Sequence, residues 1–173
     1  MEQHSHHPDH WKPKRSFRDY LPLIVIVLLT LLAAAANVAS VGGWDGRLFM
    51  RQFMGLFLVV FAMFKLFDLS GFAEGFQMYD LIAKRARAYA LTYPFIELAF
   101  GLAYLANVMP VATSMLLLIV MMIGATGVLW ALKKGLDVAC ACLGTVLKVP
   151  LSTVAVVEDL GMAAMAVVML WMR

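Results

Sequence analysis

The chain has 173 residues, 63% of them hydrophobic and 14% charged, a balance that excludes an ordinary soluble domain. Its net charge of +3 comes from basic residues dispersed along the edges of apolar runs, not from the clustered patch of a nucleic-acid binder. Five apolar windows (residues 20–39, 47–67, 88–108, 111–132 and 151–172) each reach about the 20 residues needed to cross a bilayer. They predict an all-α integral membrane bundle of about five transmembrane helices, with the lipid bilayer as partner and no room for a soluble catalytic domain.

Residues 1–19 form a polar tail. It carries His4, His6, His7 and His10, the only histidines in the chain, followed by Lys12, Lys14, Arg15 and Arg18. A histidine cluster can ligate copper or zinc through neutral imidazole nitrogen, although a flexible tail preorganises nothing; a merely polar tail is the alternative. The first window, 20–39, follows. Its basic leader and the alanines at 33–36 resemble a signal peptide, but the leader is long and the apolar run is long enough to span, so a retained first helix is expected.

Lys and Arg set the expected orientation. With the N-terminus in the cytoplasm, Lys12, Lys14, Arg15, Arg18, Lys65, Lys84, Arg85, Arg87, Lys133, Lys134 and Lys148 fall inside, and only Arg47, Arg51 and Arg173 outside. This bias predicts a multi-pass protein of a bacterial-type inner (plasma) membrane with a cytoplasmic N-terminus. Trp44, Trp130 and Trp171 sit near window ends, as interface anchors do.

The second window, 47–67, ends in Lys65. Beyond it, Phe72, Phe76, Tyr79 and Ile82 recur at helical spacing with acids between them, predicting an amphipathic helix with its aromatic side toward lipid or bundle. The third window holds Glu97 near its middle, where an isolated charge costs ~2.5–3.5 kcal/mol on insertion scales. Lys65, long enough to reach along the neighbouring span, is the expected partner. The pair is open to two readings, a structural ion pair that fixes helix register and a proton-linked site. Pro94, one turn before Glu97, frees a carbonyl. The uncharged connection 107–110 makes the third and fourth windows an antiparallel hairpin.

Between the fourth and fifth windows lies Cys140-Ala141-Cys142, holding the only two cysteines. Residues 136–149 are mostly apolar but, at about 14 residues, too short to span; they suit a re-entrant or interfacial segment. Two thiols at this spacing can cycle as a strained disulfide that suits exchange with a partner, share a metal, or simply pack. Lys133, Lys134 and Lys148 are the cations able to lower a thiol pKa. In the last window, Asp159 lies roughly 21 Å from Arg173 along the helix, which puts Glu158 and Asp159 below the surface on the side of the cysteines. Either could accept a thiol proton. Because they point about 100° apart, one at most is expected to face a given cavity. The alternative is a helix that starts near Val156, with both acids in a wet first turn.

Three elements in order carry a resemblance: a helix over 55–68 with Lys65 and Asp68 at its end, followed by Phe76 and Tyr79; Tyr93, Pro94, Glu97 and Gly101 on the next helix; and Cys140, Cys142 and Gly144. Over residues 47–172 the chain resembles the MauE branch of the MauE/DoxX membrane proteins, named for methylamine utilisation. The first helix and the histidine tail stand outside it. The resemblance implies a four-helix core plus an extra N-terminal helix. It also implies redox work: thiol–disulfide traffic supporting maturation of an exported enzyme, or quinone-linked chemistry.

Three functions stay open. The first is a membrane thiol–disulfide oxidoreductase component, in which Cys140 and Cys142 exchange electrons with a thioredoxin-like or exported redox protein, or with a quinone. The second is a copper or zinc transport or handling protein. The third is a non-catalytic assembly subunit. No dinucleotide fingerprint, haem-attachment motif or nucleophile–base constellation is present.

Overall fold

The computed structural model describes residues 17–134 and 151–172, with side chains over 21–134 and 154–172. The described residues form six helices and no strand: α1 (Phe17–Ser40), α2 (Gly46–Phe67), α3 (Leu69–Tyr79), α4 (Arg87–Leu105), α5 (Pro110–Lys133) and α6 (Leu151–Trp171). All except α3 are long and apolar enough to cross a membrane. Their limits fall within a few residues of the five apolar windows.

Local chemistry sets the breaks between helices. Asp45 caps α2, its Oδ1 accepting the N–H groups of Arg47 at 2.9 Å and Leu48 at 3.3 Å. Asp68 ends α2 and starts α3: its backbone leaves the helical region at φ −135°, ψ 68°, and its Oδ1 accepts the Gly71 N–H at 3.0 Å. Asp80 closes α3 the same way, its Oδ1 accepting from Ile82 and Ala83 at 2.9 and 2.7 Å. The α4–α5 turn is the expected tight hairpin, with Asn107 and Met109 at positive φ and Pro110 opening α5.

α2, α4, α5 and α6 make the core of the bundle, α1 lies outside against α2, and α3 packs on α4 and reaches α5. α2 and α4 meet through glycine. A Cβ on Gly55 would stand 3.0 Å from the Gly101 carbonyl oxygen, and one on Gly101 would stand 3.0 Å from that of Gly55. Such close approach is how helices associate where lipid provides no hydrophobic drive.

The distribution of polarity is inverted relative to a soluble protein. Leu28, Leu32, Leu116 and Ile119 on the helix flanks are exposed, while Lys65, Glu97, Glu158 and Asp159 are buried. Trp44 and Trp171 are exposed at one end of the bundle, where Met172 approaches Gly46, and Trp130 is exposed near the other. The amphipathic helix is present as α3, and its Phe72, Phe76 and Tyr79 face the bundle. Ile82 does not join that face. It falls beyond the helix in the Asp80 turn and is exposed, because the turn breaks the period.

Candidate functional site

The interior of the bundle is organised around one ammonium. Lys65, in the last turn of α2, donates from Nζ to Glu97 Oε2 on α4 and to Glu158 Oε1 on α6, each at 2.6 Å. All three residues are 2% exposed. Three rings line the same ammonium, with centroids 5.9 Å (Phe61), 5.7 Å (Phe72) and 5.4 Å (Tyr93) from Nζ, within the range of cation–π attraction. Phe72 of α3 stacks on Tyr93 of α4 with centroids 6.1 Å apart, and Phe76 meets the same ring at a tilt, 4.6 Å away. The short helix thus forms an aromatic lid over the ion pair.

Beside this network lies a cavity of about 10 Å³, lined by Lys65, Phe72, Phe76, Tyr79, Tyr93, Ala155, Glu158 and Asp159. That is near the lower limit for one water molecule. Glu158 and Asp159 therefore face one cavity, against the expectation that their 100° separation would divide them. The longer Glu158 side chain reaches to Lys65, while Asp159 is accommodated by α5: a Cβ on Gly124 would stand 2.8 Å from Asp159 Oδ2. The helix also begins at Leu151 and not near Val156, so neither acid sits in a wet first turn.

One turn along α5, a Cβ on Gly127 would stand 2.8 Å from the Tyr79 carbonyl oxygen and 3.1 Å from Asp80 Cα. Asp80 and Asp159 thus share the glycine face of α5. Asp80 is fully buried; burial pushes its carboxyl above the ordinary carboxylate range, opposed by the N–H groups of Ala83, Ile82 and Leu81 and by Lys84. Among the described residues, the buried Asp80 Oδ2 and Glu97 Oε1 have no hydrogen-bond partner. Asp80 was not among the residues singled out by sequence. Its one visible signal is its position directly after the aromatic stripe.

The sequence of this bundle matches the family described as methylamine utilisation protein MauE over residues 18–172, nearly the whole chain. The chain belongs to the MauE family. No curated protein and no solved structure matches it. The match begins in α1 and so takes in the first span as well as residues 47–172. It takes in Lys65, Glu97, Cys140, Cys142, Glu158 and Asp159 and leaves His4, His6, His7 and His10 outside.

Of the residues named from sequence, Lys65 and Glu97 form the expected pair, and Glu158 joins as a second acceptor. Cys140, Cys142 and the four histidines lie outside the described residues. Among the described residues, no group of three or more His, Cys, Asp or Glu is placed to hold a metal ion. The MauE-family bundle is thus a multi-pass membrane protein with a buried charge network at its interior.

Proposed function

We propose that this MauE-family protein is a membrane thiol-redox protein. In this reading Cys140 and Cys142 exchange electrons with a partner, and the buried carboxyls handle the accompanying protons. The observation that carries the reading is the buried Lys65–Glu97–Glu158 network with Asp159 beside it. It lies toward the end of the bundle where α5 leaves and α6 begins, and the segment joining those two helices contains both cysteines. Ionisable groups inside a span are expensive and mark functional paths. Among the described residues three carboxyls, Glu97, Glu158 and Asp159, gather around one ammonium that pairs with the first two, so the cluster has capacity to take up protons.

The chemistry needs that capacity. A Cys140–Cys142 disulfide oxidises a partner dithiol when one partner thiolate attacks a sulfur and the second partner thiolate resolves the mixed disulfide. The partner leaves with a disulfide, and two thiols remain on Cys140 and Cys142. Return to the disulfide releases two protons and passes two electrons onward, for which a membrane quinone is the acceptor class. Asp159, which lines the cavity without joining the ion pair, is the proton acceptor nearest in character to this task.

The test is acid-quenched thiol trapping on intact membranes, before and after a pulse of a dithiol protein of thioredoxin type. The expected result is a Cys140–Cys142 pair that shifts between oxidised and reduced, with loss of partner oxidation in Cys140→Ser and Cys142→Ser. Asp159→Asn is expected to slow the exchange and move its pH profile. Cysteines that stay reduced throughout, with serine variants that behave as wild type, would leave an assembly subunit. Loss of metal uptake or resistance in those variants would favour metal handling.

A further inference from the structure

The far end of the bundle holds a second cavity, of about 230 Å³, lined by Asp45, Arg47, Leu48, Arg51, Asn107, Pro110 and Met169. It lies where the start of α2, the α4–α5 turn and the end of α6 converge, at the opposite end of α2 from Lys65. Arg47 and Arg51 are one helical turn apart and so share a face. Neither guanidinium has an ion-pair or hydrogen-bond partner among the described residues, and Arg51 Nε is buried with no partner. Lys65, the other cation held within this helix, is matched by two carboxylates; Arg51 is matched by none. The nearest acid in the lining, Asp45, uses its Oδ1 to cap α2 through the Arg47 and Leu48 N–H groups. One carboxylate against two guanidiniums leaves the cavity net positive.

An unpaired arginine at the edge of a span calls for a counter-ion. We propose that this cavity is a phosphate-binding site in which Arg47 and Arg51 together hold the phosphate of an anionic lipid headgroup or inorganic phosphate. Phosphate fits better than carboxylate. A carboxylate is satisfied by one guanidinium fork, whereas a phosphate offers further oxygens for a second fork one turn away. Asn107, held at φ 56° in the α4–α5 turn, adds an amide with two N–H donors at the rim. The location suits a headgroup, because the cavity opens at the ends of membrane-spanning helices, the depth at which lipid phosphates lie. The site is independent of the thiol chemistry and stands or falls separately from it.

The experiment uses delipidated full-length protein in neutral detergent, titrated at constant ionic strength with phosphatidylglycerol or with inorganic phosphate. Binding is followed by native mass spectrometry and by the shift in thermal midpoint. The expected result is saturable binding of at least one of the two, weakened about tenfold or more in the Arg47→Gln, Arg51→Gln double variant, which removes both guanidinium forks. Arg47→Gln alone, at an exposed position, keeps the fold and is expected to weaken binding in the same direction. Binding of phosphatidylglycerol without a phosphate response identifies a lipid headgroup; a response to phosphate alone identifies the free ion. The proposal is overturned if neither ligand binds, if Arg47→Gln binds as wild type does, or if Arg85→Gln at the other end of the bundle weakens binding equally.

Discussion

Lys65 is the residue on which the interior depends. Its ammonium has been taken out of water, and Glu97, Glu158 and three rings replace the lost solvation. Breaking a buried pair by removing one partner typically costs about 3–5 kcal/mol, because the remaining charge is left without compensation. Lys65→Met is therefore expected to lower stability by that order, read from unfolding in a mixed-micelle denaturant titration. Glu97→Gln is expected to cost clearly less, since Lys65 keeps Glu158 and the amide oxygen still accepts. Equal losses in the two variants would mean that Lys65 acts through packing alone. Asp80 makes a separate prediction through pH. Its folded-state pKa is raised by burial, so the folded protein binds this proton more tightly than the unfolded chain does. Its contribution is full below the ordinary value of 3.8 and is lost as pH rises from there toward the raised value. Asp80→Asn keeps an oxygen for the Ile82 and Ala83 N–H groups and is expected to flatten the fall in thermal midpoint across that window. An unchanged slope would assign the dependence elsewhere. The Lys65–Glu97 pair could be read from sequence because each is a lone charge in or beside an apolar run. Glu158 as the second acceptor could not, because the meeting of α2 and α6 leaves no mark on local pattern.

At the scale of the helix, hydropathy exposed the five spans and aromatic spacing exposed α3, since both are properties of a single segment. What stayed hidden was how the segments touch. Gly101 and Gly55 look alike in sequence to Gly161, yet the first two bring α2 and α4 to backbone contact, while a Cβ on Gly161 would meet nothing within 4 Å. The common face of Asp80 and Asp159 was hidden for the same reason, because Gly124 and Gly127 reveal their use only once α3 and α6 are laid on α5. Gly101→Ala places a methyl 2.8 Å from Val59 Cγ2 and 3.0 Å from the Val59 nitrogen and the Gly55 carbonyl oxygen. Backbone on two of these sides cannot rotate away, so overpacking of roughly 1–3 kcal/mol is expected in the same titration. Gly161→Ala is the control and is expected to be neutral or slightly stabilising, since alanine is the better helix former. Equal tolerance at both positions would refute the glycine contact between α2 and α4.

At the scale of the molecule, the decisive question is which side of the membrane the charged interior opens toward. Successive spans alternate in direction, so the start of α1, the end of α2 with α3, the end of α5 and the start of α6 share the Lys65 end of the bundle. In sequence, eleven of the fourteen Lys and Arg residues precede the first span, or fall at the end of the second, between the second and third, or between the fourth and fifth, and three flank the other span ends. Such asymmetry orients short-looped membrane proteins with the basic end in the cytoplasm. A maleimide that cannot cross membranes is therefore expected to label Cys140 and Cys142 in inside-out vesicles and not in intact spheroplasts. Cysteine placed at Trp44 in a Cys140→Ser, Cys142→Ser background is expected to show the reverse, which controls for reagent access. Labelling of the native pair from outside would invert the topology and allow direct exchange with an exported protein. Labelling from inside requires either a cytoplasmic partner or electrons carried across the bundle. Under the proposed thiol-redox reading, labelling from inside is the outcome in which Asp159 and Asp80 are the carboxyls expected to receive protons released at Cys140 and Cys142.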